Sequence, residues 1–191
     1  MKQKMSSRFL CLCLAMVLCL PTAWAAERAE QFSGGSGTAE DPWRIDRAEQ
    51  LVRLAELVNQ GEADYRSAHY CLGADINMAG VEDFRPIGDS PEHSFLGGFD
   101  GGGHIIYGLE YRDEALREEV YREYHLSRAP APVYGGLFGV LEGGTVTGLT
   151  LTGSVGGTVV GGLVGWNRGG TVSNCASFCT PFVWSVIKDS L

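Results

Sequence analysis

The sequence has no apolar run long enough to cross a membrane as a helix, and it has little positive charge. Its longest uninterrupted apolar run, Phe9–Leu20, has 12 residues, whereas a spanning helix needs about 20. Lys and Arg number 15 against 23 Asp and Glu. This imbalance disfavours nucleic acid and anionic membrane surfaces as partners, because phosphate binding needs clustered Lys and Arg.

No glycine precedes Gly34, and proline is scarce throughout. The chain has 27 glycines and 7 prolines, and 14 of the 36 residues between Gly135 and Gly170 are glycine. Collagen is excluded, since it needs glycine at every third position together with abundant proline. A disordered tract is excluded as well, because Leu, Val, Ile and Phe run through the glycine-rich part.

The N-terminal segment 1–25 is typical of a secretory signal peptide. Lys2, Lys4 and Arg8 precede the apolar run, and Ala23–Ala25 places small residues at a cleavage site. We predict cleavage after Ala25, which leaves a chain of about one domain. The loss of three positive charges takes the net charge from −8 to −11. The mature protein is then expected to be extracellular or at the cell surface, with no membrane span.

The mature chain would carry three cysteines, Cys71, Cys175 and Cys179. Export implies an oxidising compartment, but an odd number excludes a fully paired intramolecular set of disulfides. Cys175 and Cys179 could pair with each other or bind a metal. Burial as small apolar side chains is the favoured interpretation for Cys71 and Cys175.

An amphipathic helix is predicted directly after a short strand at Trp43–Ile45. Asp46 is its expected N-cap, with Glu49 completing a capping box, and Gly61 is its expected left-handed end. Its apolar residues recur at helical spacing and form one stripe: Ala48, Leu51, Val52, Ala55 and Val58. This stripe must be buried, and a helix here is well placed to cover one end of a repetitive β region.

A second helix is predicted at about 113–126, in a stretch without glycine. Leu116, Val120 and Tyr124 share one of its faces. Because strand-like, glycine-rich sequence lies on both sides, this helix is expected to be a short insertion at the protein surface.

A gapless 26-residue repeat dominates the C-terminal half. Segments 135–149 and 161–175 both begin with Gly-Gly-Leu and continue to Gly-Gly-Thr-Val. A partial earlier copy lies upstream, where Ile106–Leu109 matches Val146–Leu149. The upstream copy lies further from the next copy than one repeat period. The excess equals the length of the predicted helical insertion. A fixed period of this size indicates stacked structural units.

The three copies align in columns, which predict a coil of stacked strands. Apolar or small residues form three columns: Ile106, Val146 and Val172; Leu109, Leu149 and Cys175; Tyr111, Leu151 and Ser177. A further column holds Gly108, Gly148 and Asn174, residue types that adopt positive φ readily. We therefore predict one left-handed corner per turn of the coil. Glycine pairs are expected to mark further turns, and they begin at Gly135, Gly143, Gly161 and Gly169.

These copies resemble the GLUG repeats of bacterial surface and secreted proteins. Upstream segments, among them 32–45, 72–76, 86–88 and 95–105, are similar to the module that usually precedes such repeats. The resemblance implies an all-β fold, a right-handed parallel β-helix with an N-terminal capping helix. It also implies extracellular display, often in large adhesin-like proteins. It brings no established catalytic residues.

The expected organisation has four parts. Segment 1–25 is the signal peptide, 26–31 a lead-in, 32–177 the GLUG-type β-helix domain with its helical insertion, and 178–191 an atypical tail. The tail lacks recognisable repeat spacing and would expose apolar residues: Phe182, Val183, Trp184 and Ile187. It could be a degenerate cap or the product of a truncation.

Few residues suggest chemistry. Asp100 and His104 could form an acid/base pair, but bonding of the Asp100 carboxylate to backbone N–H groups of a glycine turn is favoured. Four further carboxylates could hold calcium or a glycan, although none has calcium-loop spacing: Asp75, Asp83, Asp89 and Glu92. The histidines lack zinc-ligand spacing: His69, His93, His104 and His125. Three tryptophans could stack on sugars, although packing is favoured: Trp43, Trp166 and Trp184.

The sequence therefore predicts a secreted or surface-displayed β-solenoid that acts as a non-enzymatic adhesion or binding scaffold, without cofactor or metal. Its expected partner is an extracellular host protein or glycan, and end-to-end or edge association is possible where strand edges are uncovered. One alternative is a carbohydrate-active lyase or hydrolase. Such a site would use the 75–104 region, because Glu142 and Arg168 are the sole charged residues from 135 to 170. The other is a truncated remnant of a longer surface protein.

Overall fold

The computed structural model describes residues 31–126 and 130–184. The predicted signal peptide, most of the lead-in, and Ile187 of the tail lie outside these residues. Within the described ranges, three helices are present: α1 (Ala48–Asn59), α2 (Ala63–Arg66) and α3 (Glu114–His125). Thirteen strands account for most of the regular structure of these ranges: β1 (Trp43–Ile45), β2 (His69–Leu72), β3 (Ile76–Asn77), β4 (Gly98–Asp100), β5 (Ile105–Tyr111), β6 (Tyr134–Gly135), β7 (Phe138–Glu142), β8 (Thr145–Thr147), β9 (Thr150–Gly157), β10 (Val159–Val160), β11 (Val164–Arg168), β12 (Thr171–Ser173) and β13 (Ala176–Val183).

The strands form parallel sheets. A five-stranded sheet has the order β1-β2-β4-β8-β12, and a four-stranded sheet has the order β13-β9-β5-β3. The pairs β6–β10 and β7–β11 complete the set. Every pairing between these strands is parallel. The prediction of a mostly-strand fold with parallel sheets is therefore confirmed.

The repeat period is the spacing at which the last strands stack. Val146 pairs with Val172, Val140 with Trp166, and Leu151 with Ser177. The β9–β13 ladder continues to the pairing of Gly157 with Val183. The strand thus extends well beyond Ser177, where the repetitive region was expected to end. Side-chain similarity is lost there, but backbone hydrogen bonds still hold the strand in register.

The upstream match of Ile106 with Val146 gives the wrong register. Ile106 pairs with Leu151, and Val146 pairs with Phe99. The first members of the three predicted columns are therefore wrong, and so is the insertion length that was inferred from the offset. The short Gly-Leu match was misleading because Gly108 lies at a register shift inside β5.

The left-handed corner is confirmed at two of its three predicted positions. Gly148 has φ of 64° and Asn174 has φ of 53°, and they lie one repeat apart at the ends of β8 and β12. Gly108 also has a positive φ, 69°, but it accommodates a bulge instead of a corner. Bulges and corners both favour glycine, so residue type alone could not separate them.

The four predicted glycine pairs all lie where one strand ends and the next begins, but their glycines serve in two different ways. Gly143 and Gly169 have φ of 65° and 76°, as the prediction requires. Gly135 is the last residue of β6, where a Cβ atom would overlap the carbonyl oxygen of Gly156. Gly161 is similar, since its Cβ would overlap the carbonyl oxygen of Val164. These two glycines permit close backbone approach. Bends follow both of them, at residues 136–137 between β6 and β7 and at 162–163 between β10 and β11, so the prediction of turns is confirmed here as well.

The core is a column of side chains that crosses the five-stranded sheet. Trp43, Tyr70, Phe99 and Val146 pair in succession and are all buried. Phe32 covers the first of them, with its ring centroid 5.5 Å from that of Trp43. Burial of this apolar surface is the main driving force that holds the layers together.

Helix α1 begins differently from the prediction. Its N-cap is Arg47, and Asp46 accepts a hydrogen bond from the Arg44 side chain instead of capping the helix. The Gln50 side chain accepts a hydrogen bond from the backbone N–H of Asp46 at 2.8 Å, the role assigned to Glu49. The predicted N-cap and capping box are therefore wrong, because Asp46 is held by a strand residue of opposite charge.

The stripe and the end of α1 follow the prediction. Leu51, Ala55 and Val58 are buried in the core. Gly61 has φ of 80°, and its N–H donates to the carbonyl of Val58, while Glu62 donates to Leu57. This pair of hydrogen bonds is the Schellman arrangement.

Helix α3 is the predicted insertion. Asp113 caps it by accepting a hydrogen bond from the Leu116 N–H at 2.8 Å. Leu116 and Val120 pack against the core, whereas Tyr124 is exposed. Among the described residues, no helix is both long and apolar enough to span a membrane.

Candidate functional site

The structure separates Asp100 from His104. The Asp100 carboxylate accepts a hydrogen bond from the Gly102 N–H at 2.9 Å, which is the turn interaction that the sequence favoured. His104 lies instead beside Asp75, with 3.0 Å between Nδ1 and Oδ1. These two residues are 29 positions apart, and the loop between β4 and β5 brings them together.

Asp75 is held in its charged form. Its carboxylate accepts hydrogen bonds from the Ile105 backbone N–H at 3.0 Å and from the His104 ring. The Ile105 N–H is the larger cause that lowers the pKa of Asp75 below its usual 3.8, and His104 is the second. Both side chains are exposed, so the pair resembles a surface contact more than an enclosed acid/base site.

His104→Ala is expected to raise the pKa of Asp75 part of the way to 3.8, because the larger cause, the Ile105 N–H, remains. A lowered pKa in the folded state means that ionised Asp75 favours folding. This contribution is fully present above the pKa of the unfolded chain and is lost as pH falls through the folded value. NMR titration of the Asp75 carboxyl measures the shift. An unchanged pKa in the variant would contradict the contact.

The remaining candidates are dispersed. Asp89 pairs with His93 at 3.3 Å, and the ring of His125 contacts that of Tyr121 edge to face, with centroids 4.2 Å apart. Asp83 and Glu92 are exposed. Within residues 31–126 and 130–184, no group of three His, Cys, Asp or Glu residues is placed to hold a metal ion.

The three cysteines of the expected mature chain are free and partly buried. Burial, followed by the nearby Asp100 carboxylate, raises the pKa of Cys71. Burial also raises the pKa of Cys179. Thiols with raised pKa are weak nucleophiles at neutral pH, so these two side chains lack the properties of catalytic cysteines.

The three candidate tryptophans have different surroundings. Trp43 is buried in the core. Trp166 stacks on Tyr134 with centroids 5.5 Å apart, and the Arg168 guanidinium lies 4.9 Å from its ring. The side chain of Trp166 nevertheless remains 39% exposed. Trp184 lies beside α3 and lines a cleft.

Two larger clefts and one smaller cleft flank the inserted helix. The first has a volume of about 630 Å³ and is lined by Trp184 and by α3 residues that include Tyr121. The second, about 730 Å³, is lined by loop 80–85 and by the end of β5, and it is rich in carboxylates. Asp113 of this second cleft already caps α3 and pairs with Arg85 at 3.6 Å.

Tyr111 lines the second cleft but is poorly suited to proton abstraction. Burial is the larger cause that raises its pKa to about 12, and the neighbouring Asp113 adds to it. At neutral pH this phenol stays protonated. The cleft therefore offers no phenolate base from this residue.

The outer side of the four-stranded sheet carries an exposed apolar surface, which we call the aromatic face: Ile105, Tyr107, Thr150, Thr152 and Phe178. Ile105, Tyr107 and Phe178 are 39%, 43% and 72% exposed. Ile105 pairs with Thr150, and Thr152 pairs with Phe178. Threonine hydroxyls thus lie between apolar side chains on neighbouring strands, about 4.8 Å apart. An exposed apolar patch with polar groups within it is typical of binding surfaces.

Sequence reasoning missed this face. The alternation of Ile105 and Tyr107 around Ile106 was visible, and so was that of the threonines around Leu151. To place these two sets of side chains on one face, the strand partner of Ile106 must be known, and that partner is Leu151. The upstream match placed that strand in the wrong register.

The repeat region matches a known family model. Residues 156–178 match the family model described as "The GLUG motif". The chain is 31% identical, over 128 residues, to a protein of Evansella cellulosilytica named "Putative Gly-rich membrane protein". That alignment covers 64% of this chain but 12% of the relative.

A solved structure is also similar in fold. It is described as a "putative immunoglobulin A1 protease" from Bacteroides ovatus, with a TM-score of 0.55 and 23% identity. The match covers 76% of this chain and 40% of that chain, and at this identity it supports the fold alone. The chain spans less than half the length of either protein. The match of residues 156–178 to the family model confirms that the chain carries the GLUG motif, as the sequence predicted.

Proposed function

We propose that this chain is a secreted or surface-displayed β-solenoid, a right-handed parallel β-helix, that binds an extracellular host protein or glycan without catalysis. The GLUG motif supports display at the surface, and so does the relative named as a membrane protein. The parallel strands that stack one repeat apart support the solenoid. Such a stack presents long, rigid outer faces, which repeat proteins commonly use for binding.

The aromatic face is the observation that carries the proposal. Tyr107 and Phe178 lie on either side of the β9 threonines and present apolar rings to solvent. An aromatic ring can cover the C–H face of a sugar or fill an apolar hollow of a protein. The neighbouring hydroxyls of Thr150 and Thr152 can donate and accept hydrogen bonds at the rim of either ligand. Because the side chains stand on paired strands, little ordering is needed on binding.

The absence of catalysis is supported by the state of the acid/base candidates. Asp75 is a carboxylate with lowered pKa, whereas a general acid of a glycosidase needs a raised one. Tyr111 is protonated at neutral pH, and Asp113 is engaged in capping. Tyr111 therefore does not supply the free base that a lyase would need.

The test compares two variants of the purified chain on arrays of glycans and of extracellular host proteins. Ile105→Ser combined with Tyr107→Ser removes two apolar side chains of the aromatic face from β5. Tyr121→Ser is the matched control, since Tyr121 is 55% exposed but lies on α3. We expect the double variant to lose at least about tenfold in affinity, equivalent to about 1.4 kcal/mol, and the control to bind as the original chain does.

Three results would count against this function. One is that no glycan or host protein binds. Another is that Tyr121→Ser weakens binding as much as the double variant does. The third is turnover of a polysaccharide that a single carboxylate substitution abolishes, which would favour the enzyme alternative.

A further inference from the structure

Strand β3 adds polar side chains to the surface beside the aromatic face. It pairs with β5, and Asn77 lies beside Tyr107 in this pairing. Both of these side chains are exposed, whereas Ile76, which precedes Asn77, is buried. Asp75 is exposed as well, because side chains two residues apart on a strand point to the same side. The outer surface of β3 and β5 therefore combines an aromatic ring with a carboxylate and an amide.

Asp75 and Asn77 carry one free acceptor and one free donor. The Asp75 carboxylate accepts its hydrogen bonds from the Ile105 N–H and the His104 ring through the same oxygen, Oδ1. The Asn77 amide oxygen accepts from the Ala79 N–H at 3.0 Å, which leaves the NH2 end of this amide. Among the described residues, neither Oδ2 of Asp75 nor the NH2 group of Asn77 has a partner. Both groups are held in place and are available to a ligand.

The dimensions of this surface match one sugar ring. Side chains two residues apart on a strand are separated by about 6.6 Å, and those on paired strands by about 4.8 Å. Asp75, Asn77 and Tyr107 stand at three corners of such a rectangle, which one pyranose ring covers. Ile105, whose N–H bonds to Asp75, stands at the fourth. The Tyr107 side chain is 43% exposed, and its ring can lie against the C–H face of a sugar.

The two free polar groups favour a glycan over a protein. A hydroxyl both donates and accepts, so neighbouring hydroxyls of one sugar can bond Oδ2 of Asp75 and the NH2 group of Asn77. A protein that covered this surface would have to match both groups, because a buried polar group without a partner is costly. The apolar area of β3 and β5 is also small, whereas a protein interface takes about 20–30 residues from each partner.

Charge separates neutral sugars from anionic ones at this surface. The Ile105 N–H, followed by His104, lowers the pKa of Asp75 below its usual 3.8, so that the carboxylate is ionised at neutral pH. A carboxylate, sulfate or phosphate group of a ligand would be repelled by Asp75 at close range. The net charge of −8 adds repulsion at longer range. A neutral sugar meets neither obstacle.

We propose that Asp75, Asn77 and Tyr107 form a subsite for one neutral pyranose unit of a glycan. The carboxylate accepts a hydrogen bond from one hydroxyl, the amide donates to the next, and the aromatic ring covers the C–H face. This inference rests on the proposed function, because it names the class of ligand that the aromatic face takes and extends the site onto β3.

The experiment titrates the purified chain with matched pairs of oligosaccharides by isothermal titration calorimetry. The neutral members are oligomers of glucose, mannose and galactose, and each is paired with the oligomer of the corresponding uronic acid. We expect at least one neutral oligomer to bind, and its uronic acid counterpart to bind at least about tenfold more weakly, because a carboxylate then faces Asp75.

Two variants assign the effect to the subsite. Asp75→Asn keeps an oxygen for the Ile105 N–H but removes the charge, and it is expected to weaken the neutral oligomer about tenfold. It should weaken the uronic acid oligomer less, so that the ratio of the two affinities falls. Asn77→Ala is expected to weaken the neutral oligomer about threefold to tenfold. Asp83→Asn is the matched control, since Asp83 is exposed but lines the second cleft, and it should change neither affinity nor ratio.

The ratio of affinities is decisive, because a purely structural effect of Asp75→Asn would weaken both oligomers equally. Equal binding of neutral and uronic acid oligomers would overturn this inference. So would neutral binding that Asp75→Asn leaves unchanged, a result that decides the matter even if Asn77→Ala does not fold. A host protein or an anionic glycan that binds through Ile105 and Tyr107 instead would overturn this inference but leave the proposed function standing. If no glycan or protein binds, both fail.

Discussion

Phe138→Ala is expected to lower the free energy of unfolding by about 3–5 kcal/mol. Phe138 is fully buried, and its ring lies 5.2 Å from that of Phe95 and 5.5 Å from that of Phe99. Phe138 also pairs with Ile87 on one side and with Val164 of β11 on the other. The loss is large because a domain of ordinary stability has a total of about 5–15 kcal/mol. Chemical denaturation followed by circular dichroism measures it.

The control for this substitution is Leu96→Ala. Leu96 is 40% exposed and lies outside the buried core, and a surface change of this kind is expected to cost less than about 0.5 kcal/mol. If both substitutions lowered the free energy of unfolding equally, the layers would not share one apolar core around Phe138.

Gly135→Ala is expected to cost about 3 kcal/mol, and Gly143→Ala about 1–2 kcal/mol, for different reasons. At Gly135 the new Cβ would overlap the carbonyl oxygen of Gly156, so that the backbone of two layers must move. At Gly143 the space is open, and the cost comes from the positive φ of 65°. Denaturation of both variants gives the two values.

Asparagine separates the two explanations. Gly143→Asn is expected to be less costly than Gly143→Ala, because asparagine tolerates positive φ, as Asn174 does at 53°. Gly135→Asn is expected to be worse than Gly135→Ala, because a larger side chain meets the same obstruction. The reverse order at either site would contradict the role given to that glycine.

The repeat predicted the part of the fold where copies follow one another without interruption. Its period predicted the register of Val146 with Val172 and the corner shared by Gly148 and Asn174. Such features are local and recur in phase, so one sequence is sufficient to reveal them. The helix α3 was equally accessible, since its cap at Asp113 and its lack of glycine are local signals.

Register across the insertion could not be predicted in this way. Ile106 and Val146 share a motif, but Phe99 is the residue that pairs with Val146. The energy that selects this register comes from burying large side chains against each other, and it depends on residues distant in sequence. For the same reason, the contact of Asp75 with His104 could not be predicted from the sequence. Nor could the aromatic face, whose strands come from both sides of the insertion.

The central claim of this account is that parallel strands stack at the observed register, and interstrand nuclear Overhauser effects test it most directly. The account predicts backbone contacts of Val146 with both Phe99 and Val172, and of Leu151 with both Ile106 and Ser177. Contacts between Ile106 and Val146, the register of the upstream match, would contradict it. So would an antiparallel pattern between residues one repeat apart.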